Sequence, residues 1–104
     1  MVDSKSDPLY LNHLRLEFHS QTAKISWLDL QTPFSRGLVI EVVGVLDLVE
    51  VAMQLTLDNT KQFQAWLDNG SVIHVADQQA QELLECNATL WAVVVPPWVL
   101  VQKI

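Results

Sequence analysis

Positive charge is scarce in this chain. Six Lys and Arg residues stand against twelve Asp and Glu, a net charge of −6. The deficit is uneven. Residues 1–36 hold four acids and four bases, whereas residues 37–102 hold eight acids and Lys61 alone. Binding a polyphosphate backbone needs clustered Lys and Arg to displace counterions. No such cluster occurs, so nucleic acid and anionic membrane surfaces are excluded as expected partners. A basic protein partner for the acidic region remains open. Cysteine is nearly absent as well: Cys86 alone makes no internal disulfide. The three glycines, Gly37, Gly44 and Gly70, are scattered and form no phosphate loop. No basic segment followed by an apolar stretch marks a secretory signal. A cytoplasmic location is therefore expected.

Half of the 104 residues are apolar and 17% are charged. A chain of this size and composition builds one core without staples. Residues 1–7 are expected as a disordered tail and 8–104 as a single globular domain. Asp7-Pro8 has the form of an N-cap followed by proline at the first helical position. Leu11, Leu14, Phe18 and Ile25 recur at helical spacing, which predicts a helix over 8–24. Ser26 and Asp29 form a capping pattern for a second, short helix from Trp27. Pro33 should break that helix, and Gly37 should end one further turn.

"LVIEVV" (38–43) is a β-branched strand with one acid, Glu41. Asp47 caps a helix from Leu48 to Leu57 that is apolar nearly all round and so is covered on most sides. Asp58 is expected to cap another helix that stops at Gly70. A short strand near 72–75 follows, then a helix from Gln78 to about Glu85 capped by Asp77.

"LWAVVVPPWVLVQ" (90–102) is the most apolar stretch. It is shorter than the roughly 20 residues of a spanning helix, and two prolines interrupt it. A membrane segment is excluded. A two-residue hairpin turn is not expected either, because the favoured type I′ turn needs positive φ where proline is locked near −65°. The chain should bend at Pro96-Pro97 and resume as a strand over 98–102. Two readings stay open for that arm. It pairs within its own domain, or it crosses to a second copy and adds a strand there. In the second reading Trp98, Val99, Leu100 and Val101 form the interface.

Catalytic patterns are nearly missing. No G-x-S-x-G elbow occurs. Cys86 falls near a helix C-terminus, which does not activate a thiol, and reads as an apolar filler. His13, His19 and His74 share no helical face, and His13 with Glu17 supplies only two metal ligands. Glu82 and Cys86 share helical spacing without further chemistry. Asp47 and Glu50 are explained by capping. Glu41 is the exception, since an acid in an aliphatic strand is a candidate for partial burial and wants a cation or donors. Lys24 and Arg36 are its nearest cations in sequence. Replacing Glu41 by glutamine separates a structural ion pair, which costs much stability, from a cleft carboxylate, which costs little.

Together, "TAKISW" (22–27), "LDLVEVA" (46–52) and "WAVVVPPWVLVQ" (91–102) resemble the domain of unknown function 2288 family, over roughly residues 11–102. That resemblance implies a small bacterial cytoplasmic protein and carries over no catalytic residue, cofactor or partner.

The combined expectation is an α+β domain. Two N-terminal helices precede a three- to four-stranded mixed sheet covered by helices, with an α/β fold on a partly parallel sheet as the alternative. The leading function is a non-enzymatic binding or assembly module that self-associates as a homo-oligomer, with no metal or cofactor. The alternative is a small enzyme or ligand-binding protein with a site at Glu41, Lys24 and His74.

Overall fold

The computed structural model describes residues 8–104, so the expected disordered tail at 1–7 and the Asp7 cap lie outside the described residues. The order of elements is α1 (Pro8–Gln21), β1 (Ala23–Ser26), a 3₁₀ turn (Trp27–Leu30) running into α2 (Gln31–Ser35), β2 (Val39–Val42), α3 (Leu48–Thr56), α4 (Thr60–Asn69), β3 (Val72–His74), α5 (Asp77–Glu85), β4 (Thr89–Val95) and β5 (Trp98–Lys103). The fold is α+β, with five strands among the described residues in the order β1-β4-β5-β2-β3. The sheet is mixed: β2 and β5 run parallel, and the other three pairings are antiparallel.

The extra strand is β1; its first two residues fall within the helix expected over 8–24, and its last, Ser26, also caps the following turn as expected. Two N-terminal helices are present, but β1 separates them. At the end of α1 the Thr22 amide and hydroxyl both donate to the Phe18 carbonyl, at 2.9 and 2.7 Å. Ala23 to Ser26 then pair with Thr89 to Ala92 of β4. This ladder outcompetes helix propensity, which is a weak preference that tertiary context overrides.

Pro33 does not break α2. It is the third residue of that short helix, where the backbone N–H has no helical partner to lose. Gly37 (φ +72°) and Gly70 (φ +79°) adopt the left-handed conformation that ends helices. Asp47 caps α3 as expected, its Oδ1 accepting the Val49 amide at 2.9 Å. The cap of α4 is Asn59 rather than Asp58, which instead takes a left-handed backbone (φ +60°). The cap position of α5 is Ala76, one residue before Asp77, and its amide donates to Gln79 Oε1 at 2.9 Å.

The terminal stretch departs most from expectation. β4 and β5 form a hairpin in which Val95 pairs with Trp98, so only the two prolines lie between the strands. The Pro96-Pro97 peptide is cis, the arrangement of a type VI turn, which the comparison with type I′ left out. β5 is the central strand, bonded to β4 on one side and β2 on the other. The interface assigned to Trp98, Val99, Leu100 and Val101 is therefore corrected. These residues pair within their own chain, and Val99, Leu100 and Val101 are 9%, 0% and 1% exposed. Beside them, Gln102 Nε2 donates to the Val43 and Leu46 carbonyls at 3.2 and 2.7 Å, fastening the loop after β2 to β5.

Alternation along the strands sends side chains to two cores. Ile40, Val42, Val72, Val93, Val95 and Leu100 pack against α1 and α3, with Phe63, Trp66 and Leu67 of α4 at the margin. Val39, Val75, Leu90, Val99 and Val101 face Trp27 and Leu30 of the 3₁₀ turn and Ala80 and Leu83 of α5. Glu41 falls between Ile40 and Val42, and so it points to the second face.

Candidate functional site: a cleft beside Glu41

Glu41 pairs across the sheet with Ile73 on β3 and Val101 on β5. Two residues beyond Val101, on the same face, stands Lys103, whose cross-strand partner on β4 is Leu90. The parallel β2–β5 register thus brings an acid and a base together from distant parts of the chain. α5 closes the other side. Gln79, Glu82, Leu83 and Cys86 follow the i, i+3, i+4, i+7 spacing of one helical face. Beyond α5, the Ala88 amide returns to the Leu83 carbonyl at 3.0 Å and Asn87 takes φ +50°. The chain then turns so that Ala88, Thr89 and Leu90 form a further wall. The result is a cleft of about 430 Å³, within the roughly 300–1,000 Å³ range of small-ligand sites.

The cleft has an apolar part and a charged part. Leu83 and Leu90 are buried, and Ala88 is half-buried beside them. The charged part holds Glu41, Glu82 and Lys103. The Glu41 side chain is only 13% exposed, and its Oε2 lies 3.9 Å from Lys103 Nζ. That separation is too long for a hydrogen bond. Lys103 itself is 69% exposed. Among the described residues, the Glu41 carboxylate accepts no hydrogen bond.

The expected trio does not assemble. Lys24 is on β1 and His74 on β3, the two outer strands, with three strands between them. Lys24 Nζ lies 5.2 Å from the centroid of the Trp91 ring, a cation–π contact. His74 is exposed, its ring edge-on to Trp98 at 6.0 Å, on the face opposite Glu41. Arg36 is not the partner of Glu41 either; Lys103 is. Cys86 is exposed rather than a buried filler, and its thiol donates to the Leu83 carbonyl at 3.6 Å. The partnership of Glu82 and Cys86 was visible as helical spacing, but nothing in the sequence aligns that helix with Glu41.

Chemically the cleft can hold a polar head at Glu41 and an apolar body along Leu83 and Leu90. No histidine lines it, so Cys86 has no imidazole base there. Among the described residues, no three His, Cys, Asp or Glu side chains gather to hold a metal ion, and no helix is long and apolar enough to cross a membrane.

A second concavity, of about 350 Å³, lies on the same face at the other end of the sheet. Ala23, Ile25, Pro33, Ala92 and Val94 supply most of its apolar wall. Val94 is 52% exposed although it sits within β4. β1 pairs no further along β4 than Ala92, so among the described residues Val93 to Val95 have no strand neighbour on that side.

The family described as "Protein of unknown function (DUF2288)" matches residues 13–103. Among solved structures, the chain is similar to the NMR solution structure of PA1075 from Pseudomonas aeruginosa. The two share 40% sequence identity at a TM-score of 0.76, over 99% of this chain and 93% of that one. No curated protein matches the chain.

Proposed function

The chain belongs to the DUF2288 family, whose description assigns no activity, and from that starting point we propose that it is a non-enzymatic binding module whose site is the cleft beside Glu41. One observation carries this reading: a carboxylate on a side chain only 13% exposed lines a ligand-sized cleft and accepts no hydrogen bond from the described residues. Withdrawing a carboxylate from water is costly unless a partner compensates. The loose 3.9 Å contact to an exposed lysine compensates weakly. The carboxylate oxygens still reach solvent through the cleft, and a ligand entering there replaces that water with a direct partner. The lining favours binding over nucleophilic catalysis, since among its residues no imidazole stands beside Cys86 to activate the thiol. The origin of PA1075 in Pseudomonas aeruginosa supports a bacterial source, and an exposed unpaired thiol suits a reducing cytoplasm.

The test is two-dimensional amide NMR of the labelled protein with a mixed library of small charged and neutral compounds. Shifts concentrated at Glu41, Glu82, Leu90 and Lys103 are expected. Shifts that fall elsewhere, or none with any compound, overturn the reading.

Self-association is a second reading, now resting on a different surface. The unpaired edge of Val93 to Val95 and the exposed Val94 beside it suit addition of a strand from a second copy. Light scattering should give a mass of two chains that falls to one in Val94→Lys. A single-chain mass in the unaltered protein at high concentration rules this reading out.

A further inference from the structure

We propose that the occupant of the Glu41 cleft is an alkylammonium group, and that the Lys103 side chain is an internal placeholder that such a ligand displaces. This rests on the cleft reading above and adds the ligand's chemistry. The sign of the charge comes first: two carboxylates, Glu41 and Glu82, line the cleft against one ammonium, Lys103. An anion would meet both carboxylates, whereas a cation adds to the weaker side. The shape comes second. Beside the carboxylates lie Leu83, Leu90 and Ala88, which can cover a short methylene chain but offer no side-chain hydrogen bonds.

The third argument is Lys103 itself. It is a butylammonium group already attached to the protein, and it approaches Glu41 without reaching hydrogen-bond distance, remaining 69% exposed. Its backbone is held in the ladder opposite Leu90, which limits how deeply the ammonium can descend. A free amine has no such tether. It can seat its nitrogen on Glu41, where charge-assisted hydrogen bonds form at shorter distances, and lay its carbons along the leucines. Lys103 then swings into solvent.

The same chemistry has two sources, a small free amine or a lysine side chain on a protein partner. The experiment titrates the labelled protein with n-butylammonium chloride, with n-butanol and with sodium butanoate, reading cleft amide shifts. The expected result is saturable binding of n-butylammonium alone. Lys103→Met keeps the aliphatic stem and removes the competing charge, so binding should tighten by roughly two- to fivefold, the scale of an exposed ion pair. Glu41→Gln should weaken it by at least about tenfold.

Butanol or butanoate binding as well as the amine overturns the inference and leaves the cleft reading standing. Silence of the cleft toward all three probes overturns the inference, while the cleft reading falls only if the mixed library is silent there as well. Weaker binding in Lys103→Met also overturns the placeholder role, and that arm stands even if Glu41→Gln does not fold, because Lys103 is exposed. A blocked lysine, Nα-acetyl-lysine methylamide, separates the sources. Tighter binding than n-butylammonium assigns the site to a basic protein partner, and weaker binding to a free amine; both keep the alkylammonium class.

Discussion

The two faces of the sheet are covered unequally. One lies under α1 and α3, with α4 at the margin, and α3 alone buries Leu48, Val49, Val51, Ala52 and Met53. The other has only α5 and the short α2 with its 3₁₀ turn. Both concavities that bear on function open on this second face, the Glu41 cleft at one end and the Val94 groove at the other. Burial is what holds a domain together, and a fully buried surface has nothing left to offer a ligand. The first face also carries a concavity, of about 340 Å³ beside Leu48, Val49 and Trp91, so the faces differ in how heavily the sheet is covered rather than in whether a cleft exists.

The comparison can be broken most severely through the strand that both faces share. A chain ending at Pro97 lacks β5 and leaves β4 and β2 without a common neighbour. It should show no cooperative urea transition by circular dichroism; a folded product of normal stability would contradict the central place of β5. A finer test sets the faces against each other on β5 itself. Leu100→Ala, on the heavily covered side, should cost about 2–5 kcal/mol, transfer and cavity terms combined. Val99→Ala, on the sparsely covered side, should cost less, about 1–3 kcal/mol, since fewer methylenes are lost. Equal losses in urea melts, despite the smaller deletion at Val99, would mean that the sparsely covered face is at least as cohesive as the other. The smallest effect is expected at Glu41→Gln, under about 1 kcal/mol, because its one partner is exposed. A loss several times larger would make the pair with Lys103 structural and remove the reason to regard the carboxylate as available.

Much of the architecture was legible as pattern. Gly37 and Gly70 marked helix ends, Asp47 marked a start, and unbroken aliphatic runs marked β2, β4 and β5. β1 was not legible. Four residues, Ala23 to Ser26, carry no clear alternation, and Ile25 lies seven residues after Phe18, as a continuing helix would have it. Only β4, remote in sequence, makes them a strand. The hairpin was not legible either, because a type I′ turn excludes proline and nothing in the local sequence marks another two-residue turn. Glu41 stood out as the single acid among aliphatic neighbours, which is a local signal. Its partner did not, because Lys103 reaches it through the parallel β2–β5 register, and strand order is not written in any one segment. Lys24 and His74 failed as companions for the same reason, since they lie on opposite margins of the sheet.

The amide of Gln102 occupies two carbonyls of the loop from Val43 to Leu46. Lys103 comes directly after that anchorage, so its main chain has little room to drift. On this side of the cleft, the Lys103 group that meets Glu41 moves by rotations about the carbon–carbon bonds of one flexible side chain. Admission of a guest then requires no rearrangement of the frame, and opening of the mouth should proceed on the nanosecond scale of exposed rotamers rather than the slower scale of moving loops.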